Sequence, residues 1–127
     1  MSPPWSILIV EDEPVMRSML GLLLKSAGHA VIESEDGLAA SGILQRERVD
    51  LIITDVVMPK MDGLEFIREV RQRWPAVPII AVSGGGDHLD GSYCLKVARS
   101  MGAAATLEKP IDERRLLQVI TELAAGR

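Results

Sequence analysis

Short apolar runs alternate along this chain with longer segments of helical periodicity, and this alternation is the feature that most restricts its fold. Strand-length runs without polar alternation are typical of strands that are buried on both faces of a parallel sheet. They occupy residues 7–10, 30–32, 51–54, 78–82 and 105–107. Because a strand-helix-strand connection is right-handed and returns to the same end of the sheet, five such repeats predict parallel strands.

The first segment between two predicted strands has the local signals of an amphipathic helix. Pro14 suits its first turn, and Gly28 follows its last apolar residue. The helical spacing assigns its buried face to Met16, Met19, Leu20, Leu23 and Ala27. The same spacing predicts that Arg17 faces water.

The later segments carry comparable start signals. Asp62 and Glu65 form a capping box, while Asp36 and Asp112 precede the second and fifth predicted helices. The predicted fold class is therefore α/β, a doubly wound five-stranded parallel sheet in the order 2-1-3-4-5 with five helices. Ligands of such sheets bind outside the carboxyl ends of the strands, where the winding reverses between the first and third strands.

The length of 127 residues corresponds to one domain, at roughly 100 to 200 residues per domain. Hydrophobic residues make up 47% of the chain and charged residues 25%, a balance that is typical of globular proteins. We expect a single domain over residues 1–127, with a core from about residue 6 to about residue 125 and no output domain.

Charge and cysteine content argue against several classes of function. The chain has 14 basic and 18 acidic residues, a net charge of −4, and no basic run longer than Arg114 and Arg115, so direct binding to nucleic acid or to an anionic membrane is not expected. The first six residues lack the pattern of a signal peptide, and no apolar run approaches a membrane span. The lone Cys94 favours a reducing compartment. We expect a cytoplasmic monomer or weak dimer.

Polar residues end four of the predicted strands at what should be one edge of the sheet. These residues are Glu11, Asp12, Asp55, Ser83, Gly84 and Lys109. Taken singly, each has an ordinary structural interpretation as a helix start, a turn, a loop or a solvated surface residue. Taken together, three acids on adjacent strand ends would repel each other by roughly 4 kcal/mol per pair at about 4 Å.

This repulsion favours a bound cation at the predicted edge. Lys109 offsets only one of the negative charges, and oxygen ligands suit a hard divalent ion, Mg²⁺ first and Mn²⁺ as an alternative. Zn²⁺ is disfavoured because His29 and His88 lie elsewhere in the pattern. With such an ion present, Asp55 can act as a nucleophile toward a phosphoryl group.

The remaining polar residues suit the oxygens of that phosphoryl group. The Lys109 ammonium, the Ser83 hydroxyl and the Gly84 N–H can each donate a hydrogen bond to them. Gly84 also leaves the approach to Asp55 uncrowded.

Four stretches of the chain resemble the receiver domain of two-component response regulators, including the single-domain chemotaxis type. They are residues 7–14 (ILIVEDEP), 50–65 (DLIITDVVMPKMDGLE), 79–86 (IIAVSGGG) and 102–110 (GAAATLEKP). The resemblance implies a flavodoxin-like fold and a switch that receives a phosphoryl group on Asp55 from a sensor histidine kinase or a phosphotransfer protein. It also implies a downstream protein target, which the sequence does not name.

The resemblance assigns further roles residue by residue. Glu11 and Asp12 correspond to the acidic pair, with Asp12 the closer metal ligand, and the main-chain carbonyl of Val57 completes the metal site. Ser83 corresponds to the switch hydroxyl, and Lys109 to the lysine that contacts the phosphoryl group. The Lys109–Pro110 bond corresponds to one that is cis in the family.

The chain departs from the family pattern at three places. Thr106 stands where the family usually has Tyr or Phe, so the ordinary aromatic switch is missing. Val57 and Gly85 offer no polar side chain to orient an attacking water, which predicts a long-lived phosphoryl state. Four of the eight residues in 84–91 are glycine, which predicts a mobile loop.

Two other classes of function compete with a phosphorylated switch. Thr106 and Ile111 mildly favour a phosphorylation-independent adaptor, or a phosphate sink, whereas the complete set of acids, serine and lysine argues against it. A phosphatase of the dehalogenase type needs a second aspartate where Val57 stands, and no glycine fingerprint for a dinucleotide is complete. We therefore expect a chain that catalyses only its own phosphorylation and dephosphorylation and is not an enzyme with an external substrate.

Overall fold

The structure is a computed structural model that describes residues 4–56, 63–84 and 91–126, with the main chain only for residues 91–94. Within these ranges strands and helices alternate strictly. The strands are β1 Ser6–Val10, β2 Ala30–Ser34, β3 Leu51–Asp55, β4 Ile79–Gly84 and β5 Ala105–Lys109. The helices are α1 Pro14–Ser26, α2 Gly37–Arg46, α3 Gly63–Arg73, α4 Gly91–Ser100 and α5 Glu113–Ala125.

The strands form one parallel sheet in the order β2-β1-β3-β4-β5, which confirms the predicted topology. Ile7 near the start of β1 pairs with Val31 on one side and Leu51 on the other, and Asp55 at the end of β3 pairs with Val82. The winding therefore reverses beside β1, so that β1 and β3 end next to each other at the carboxyl edge of the sheet.

Helices cover both faces of the sheet and bury two apolar clusters. Alternate side chains of β1 enter opposite clusters, with Leu8 and Val10 on one face and Ile7 and Ile9 on the other. Burial on both faces explains why the central strands β1, β3 and β4 are almost continuously apolar. All five residues of β3 are buried, so Asp55 is carried at the end of a fully enclosed strand.

The face that α1 turns toward the sheet differs from the prediction. Leu20 and Leu24 are buried, whereas Met19 is 58% exposed and Ala27 is also exposed. The helix carries apolar side chains of its own on more than one side, so the spacing of apolar residues alone does not define which face is turned toward the sheet. Gly21 is buried close to the Glu33 and Val31 side chains of β2, so the inner face of α1 contains Gly21 and Leu24 rather than Met19.

Several predicted helix signals are present as hydrogen bonds. The Asp36 carboxylate accepts from the Ala39 N–H at the start of α2, and the Asp112 carboxylate accepts from two N–H groups at the start of α5. Gly28 follows α1 with φ +96°, a conformation that favours glycine. The predicted Asp62 cap lies outside the described residues.

The helices are short. α1 and α5 have 13 residues each, whereas a membrane-spanning helix needs about 20. Across the described ranges, no helix has the length and apolar character to cross a bilayer.

Candidate acidic site at the carboxyl edge of the sheet

Three carboxylates and one ammonium group meet where β1, β3 and β5 end. Glu11, Asp12 and Asp55 each offer an oxygen within 4.8 Å of the others. The Nζ atom of Lys109 lies 2.7 Å from Oδ2 of Asp55 and 2.8 Å from Oε1 of Glu11. The structure thus brings together four residues that the sequence places at three separate strand ends.

The three acids differ in their access to solvent. Glu11 is 3% exposed and Asp55 is 7% exposed, whereas Asp12 is exposed. The cluster therefore has an enclosed side, where Lys109 bridges two buried carboxylates, and an open side that presents Asp12. A small ion or a charged group can approach from that open side.

The start of α3 helps to define the position of Asp55. A Cβ atom on Gly63 would overlap the Asp55 carbonyl oxygen and the Val56 Cα. Only glycine permits so close an approach between the first turn of α3 and the end of β3. This contact holds the main chain of Asp55 at the edge of the sheet.

Hydrogen bonds at every polar group hold Glu11 in the turn after β1. Its N–H donates to the Ser34 carbonyl of β2 at 3.0 Å, and its carboxylate accepts from the Glu13 N–H at 3.1 Å. Its carbonyl oxygen accepts from Nη1 of Arg17 at 2.7 Å. The prediction that Arg17 faces water is therefore wrong, because its side chain is only 20% exposed and also pairs with Glu33.

The pKa values of Glu11 and Lys109 depart from their ordinary values. Burial raises the pKa of the Glu11 carboxyl and the Asp55 charge adds to this, although hydrogen bonds from Lys109 and the Glu13 N–H oppose it. Burial alone would lower the pKa of Lys109, but the hydrogen bonds and charges of Asp55 and Glu11 outweigh burial and raise it. Lys109 is thus firmly a cation at neutral pH.

Ser83 and Gly84 lie at the same edge, on β4 between the strands of Asp55 and Lys109. Ser83 is 1% exposed, and its hydroxyl lies 3.4 Å from the Gly84 carbonyl oxygen, at the long end of a hydrogen bond. Gly84 pairs with Lys109 in the sheet, and a Cβ atom there would lie 3.8 Å from the lysine Cδ. The Lys109–Pro110 bond is cis, the isomer that the resemblance implied.

Some residues that the resemblance singled out lie outside the described part of the chain. These are Val57, with its main-chain carbonyl, and Gly85, together with most of the glycine-rich segment 84–91. Thr106 is described: it is half-buried on β5, pairs with Ala81, and borders a cavity of about 170 Å³ that Arg99 and Arg115 also line.

The donor set suits a hard cation. The cluster consists of carboxylates alone, with oxygens close enough together to share one ion. Hard divalent cations such as Mg²⁺ take oxygen ligands, and one or two carboxylates with an open side are typical of Mg²⁺. The acidic cluster could therefore hold a metal ion.

Comparison with known proteins decides the family. A sequence profile described as the response regulator receiver domain matches residues 7–121. The chain belongs to the response regulator receiver domain family. The receiver domain is a module of signal transduction rather than an enzyme of metabolism, and the fold of this receiver domain, with strand order 2-1-3-4-5, is the one expected from the resemblance.

Relatives of this receiver domain have different lengths. PilH of Pseudomonas aeruginosa is 31% identical over 122 residues, which is 94% of this chain and 98% of PilH. The transcriptional regulatory protein GlrR of Escherichia coli is 34% identical over 119 residues, which cover 94% of this chain but only 26% of GlrR. The sensor histidine kinase RcsC of Escherichia coli is 30% identical over 115 residues, 91% of this chain and 12% of RcsC.

Solved structures agree with this assignment. A response regulator receiver protein from Pseudomonas putida superposes with a TM-score of 0.85 at 30% identity, covering 96% of this chain and 99% of that one. The chemotaxis response regulator CheY4 of Vibrio cholerae superposes with a TM-score of 0.82 at 30% identity, covering 94% and 98%.

Two residues next to the site of this receiver domain were not predicted to lie there. Arg17 and Glu33 form an ion pair beside the acidic turn. Arg17 lies on a helix and Glu33 on an edge strand, and polar residues at such places usually face solvent. Local sequence signals therefore do not separate them from ordinary surface residues.

Proposed function

We propose that this receiver domain is a phosphorylation-dependent switch in which Asp55 accepts a phosphoryl group from a sensor histidine kinase or a phosphotransfer protein. The observation that carries the proposal is the contact of the Asp55 carboxylate with Lys109, beside the carboxylates of Glu11 and Asp12. Such an arrangement places a nucleophilic oxygen next to a fixed cation and next to ligands for a second one.

In the proposed reaction a carboxylate oxygen of Asp55 attacks the phosphorus atom of a phosphohistidine. The new oxygen–phosphorus bond forms as the phosphorus–nitrogen bond breaks, and the imidazole leaves and takes up a proton from solvent. Bound at Glu11, Asp12 and Asp55, with the Val57 carbonyl that the resemblance adds, Mg²⁺ would supply positive charge against the repulsion between the two anions.

The other residues of the site bind the transferred group in this proposal. The Lys109 ammonium, already 2.7 Å from Asp55, donates to a phosphoryl oxygen and gives up part of its contact with Glu11. The Ser83 hydroxyl and the Gly84 N–H, on the neighbouring strand, donate to the others. Charge-assisted hydrogen bonds of this kind are the stronger ones in proteins.

Phosphorylation would change the charge of the site and hence the balance between two conformations. A phosphoryl group carries about −1.5 to −2 charges in place of a single negative charge, so it draws Lys109 and Ser83 toward it. We propose that this shift repacks the segment before α4 and changes the affinity for a protein target. Because Thr106 replaces the usual aromatic residue, the change must be relayed by other side chains.

The proposal includes the setting of this switch. We propose a cytoplasmic monomer or weak dimer that acts through a protein target rather than through nucleic acid or a membrane. It catalyses its own phosphoryl transfer and hydrolysis only. The long-lived phosphoryl state stays a prediction, because Val57 and Gly85 lie outside the described residues; loss of the group within seconds would contradict it.

Intact-mass spectrometry with a small phosphodonor tests the proposed function. The protein is incubated with acetyl phosphate, with and without Mg²⁺, as wild type and as Asp55→Asn. The matched control is Asp112→Asn, the same change at the exposed cap of α5, where asparagine also caps well. We expect one added phosphoryl group in wild type and control, dependent on Mg²⁺, and none in Asp55→Asn. Absence of any adduct on wild type would instead support the phosphorylation-independent adaptor.

A further inference from the structure

We propose that Arg17 is a positioning residue of the acidic site, which fixes the turn that carries Glu11 and Asp12 and thereby sets the affinity for a divalent cation. The inference rests on the proposed function, because it concerns the same cation site. In the described part of the chain, Arg17 contacts a main-chain carbonyl and Glu33 rather than the carboxylates of the site. It therefore acts through other residues.

The guanidinium of Arg17 joins the acidic turn to the edge strand of the sheet. Nη1 donates to the Glu11 carbonyl oxygen at 2.7 Å, while Nε lies 3.6 Å from Oε1 of Glu33 on β2. A guanidinium is planar and presents donors in fixed directions, so it can serve both partners at once. The ammonium of a lysine is a compact group without donors fixed in one plane, so it does not serve two partners in this way.

Both main-chain polar groups of Glu11 are thereby tied to β2. The N–H reaches β2 directly through the Ser34 carbonyl at 3.0 Å. The carbonyl reaches it indirectly, through Arg17 and then Glu33, the residue before Ser34. Loss of Arg17 would leave only the N–H contact, and the peptide that follows Glu11 could rotate.

The orientation of that peptide determines the position of the Asp12 Cα atom, from which the side chain extends. The Glu11 carbonyl belongs to the planar unit that ends at the Cα atom of Asp12. A hydrogen bond to this oxygen therefore orients the whole plane and, with it, the exposed carboxylate of Asp12. Glu13, whose N–H donates to the Glu11 carboxylate, closes the same turn.

Close packing holds Glu33 in place to receive Arg17. One helical turn after Arg17, a Cβ atom on Gly21 would lie 2.9 Å from Oε2 of Glu33. The Glu33 carboxylate is thus seated against the bare main chain of α1. The Arg17 side chain is 20% exposed and that of Glu33 37%, so the pair is partly shielded from water, unlike most surface ion pairs.

Direct titration with Mn²⁺ tests this role. The electron paramagnetic resonance signal of free Mn²⁺ reports binding, and competition with Mg²⁺ reports the affinity for that ion. Loss of a residue that orients metal ligands typically weakens metal binding by 10-fold to 100-fold. We expect about a tenfold higher dissociation constant for Arg17→Met. Glu33→Gln should shift it in the same direction by less, and Arg17→Lys should lie between wild type and Arg17→Met.

Arg48→Met is the matched control. Arg48 pairs with Asp50 at 3.7 Å, and its side chain is 86% exposed. The substitution removes the same guanidinium and one ion pair before β3 begins, at the opposite edge of the sheet. We expect it to bind Mn²⁺ as wild type does.

A second readout separates positioning from a direct part in the reaction. Because Arg17→Met is expected to weaken cation binding without removing a reacting group, saturating Mg²⁺ should restore its phosphorylation by acetyl phosphate to the wild-type extent. A folded Arg17→Met protein with the wild-type dissociation constant would overturn the inference. If that variant does not fold, unchanged affinities in both Arg17→Lys and Glu33→Gln would overturn it.

The outcomes also separate this inference from the proposed function. If wild type binds no divalent cation and gains no phosphoryl group, the proposed function fails and the role of Arg17 fails with it. If wild type does both while all the variants bind Mn²⁺ equally well, only the positioning role fails.

Discussion

Lys109, the last residue of β5, reaches past β4 and places its Nζ atom 2.7 Å from Oδ2 of Asp55, the last residue of β3. This contact is made across a strand that ends in the small residues Ser83 and Gly84. The ammonium partly neutralises a buried carboxylate that has two other acids beside it. The stability of this edge of the sheet therefore depends on one cation that the buried acids share.

Replacing Lys109 with methionine should destabilise the metal-free protein. The change removes the ammonium that Glu11 and Asp55 share, and we expect the free energy of unfolding to fall by about 2 kcal/mol. Mg²⁺ should then raise the stability of the variant more than that of wild type. Urea unfolding with and without Mg²⁺ measures both, and Lys96→Met on the exposed side of α4 is the control.

The same stabilising contribution of Lys109 should disappear at high pH. Its pKa is raised above the ordinary value of 10.5, so the unfolded chain loses this proton first. The contribution is therefore complete below pH 10.5 and decreases as the pH rises through the folded-state pKa. The stability difference between wild type and Lys109→Met should be constant from neutral pH to about pH 10 and shrink above it. A difference that stays constant into that alkaline range would contradict the prediction.

Glu11 should give a pH dependence of the same sign as Lys109, but in the acidic range. Its pKa is raised above 4.5, so the folded protein keeps this proton to a higher pH than the unfolded chain does. Between those two pKa values, wild-type stability falls as pH rises, a loss that Glu11→Gln lacks. The stability of Glu11→Gln relative to metal-free wild type should therefore increase from about pH 4 toward neutral pH. Urea unfolding at a series of pH values measures this, and a flat difference would count against it.

Asp12→Asn should stabilise the metal-free protein and remove its response to Mg²⁺. Asp12 adds a third negative charge within 4.8 Å of the other two acids, against one ammonium. Because Asp12 is exposed, we expect a gain of only about 1 kcal/mol in the free energy of unfolding. Thermal unfolding with increasing Mg²⁺ measures the response. A variant that is less stable than wild type without metal would show that Asp12 does more to stabilise the turn than to repel the other acids.

Ser83→Ala should slow phosphoryl transfer without changing cation affinity. The hydroxyl is buried beside the site but is not part of the acidic cluster. Removal of one hydrogen-bond donor to a developing charge costs about a hundredfold or more in well-formed sites, and we expect at least about tenfold here. The rate of phosphoryl gain from acetyl phosphate and a Mn²⁺ titration measure the two effects. Ser18→Ala on the exposed side of α1 should change neither.

The packing of α1 gives a prediction about stability alone. Leu24 is fully buried, so Leu24→Ala should lower the free energy of unfolding by about 3 kcal/mol. Met19 is 58% exposed, so Met19→Ala should change it by about 0.5 kcal/mol or less. Urea unfolding of both variants tests which face of α1 is turned toward the sheet. A loss for Met19→Ala as large as that for Leu24→Ala would contradict this packing.

Much of the fold was open to prediction because its signals are local. Each buried strand is a continuous apolar run, and each right-handed crossover leads to another parallel strand, so a parallel sheet followed from the pattern. The order β2-β1-β3-β4-β5 is the common one for five such strands. Polar residues after those runs, Asp55 and Lys109 among them, had to emerge at one edge. The burial of Leu24 and the exposure of Met19 were not predictable, because both are apolar residues on a helix with apolar side chains on several sides.

The sequence by itself determined the architecture and the residue types at the carboxyl edge, because hydrophobic period, helix caps and strand ends depend on neighbours in the chain. Only the tertiary structure decided that Glu11 and Asp55 are buried while Asp12 is exposed, and that Lys109 bridges the two buried acids. It also decided that Arg17 joins Glu11 to Glu33. These relationships depend on which strands become neighbours and how closely α1 approaches β2, and such distances are set by packing across the whole sheet.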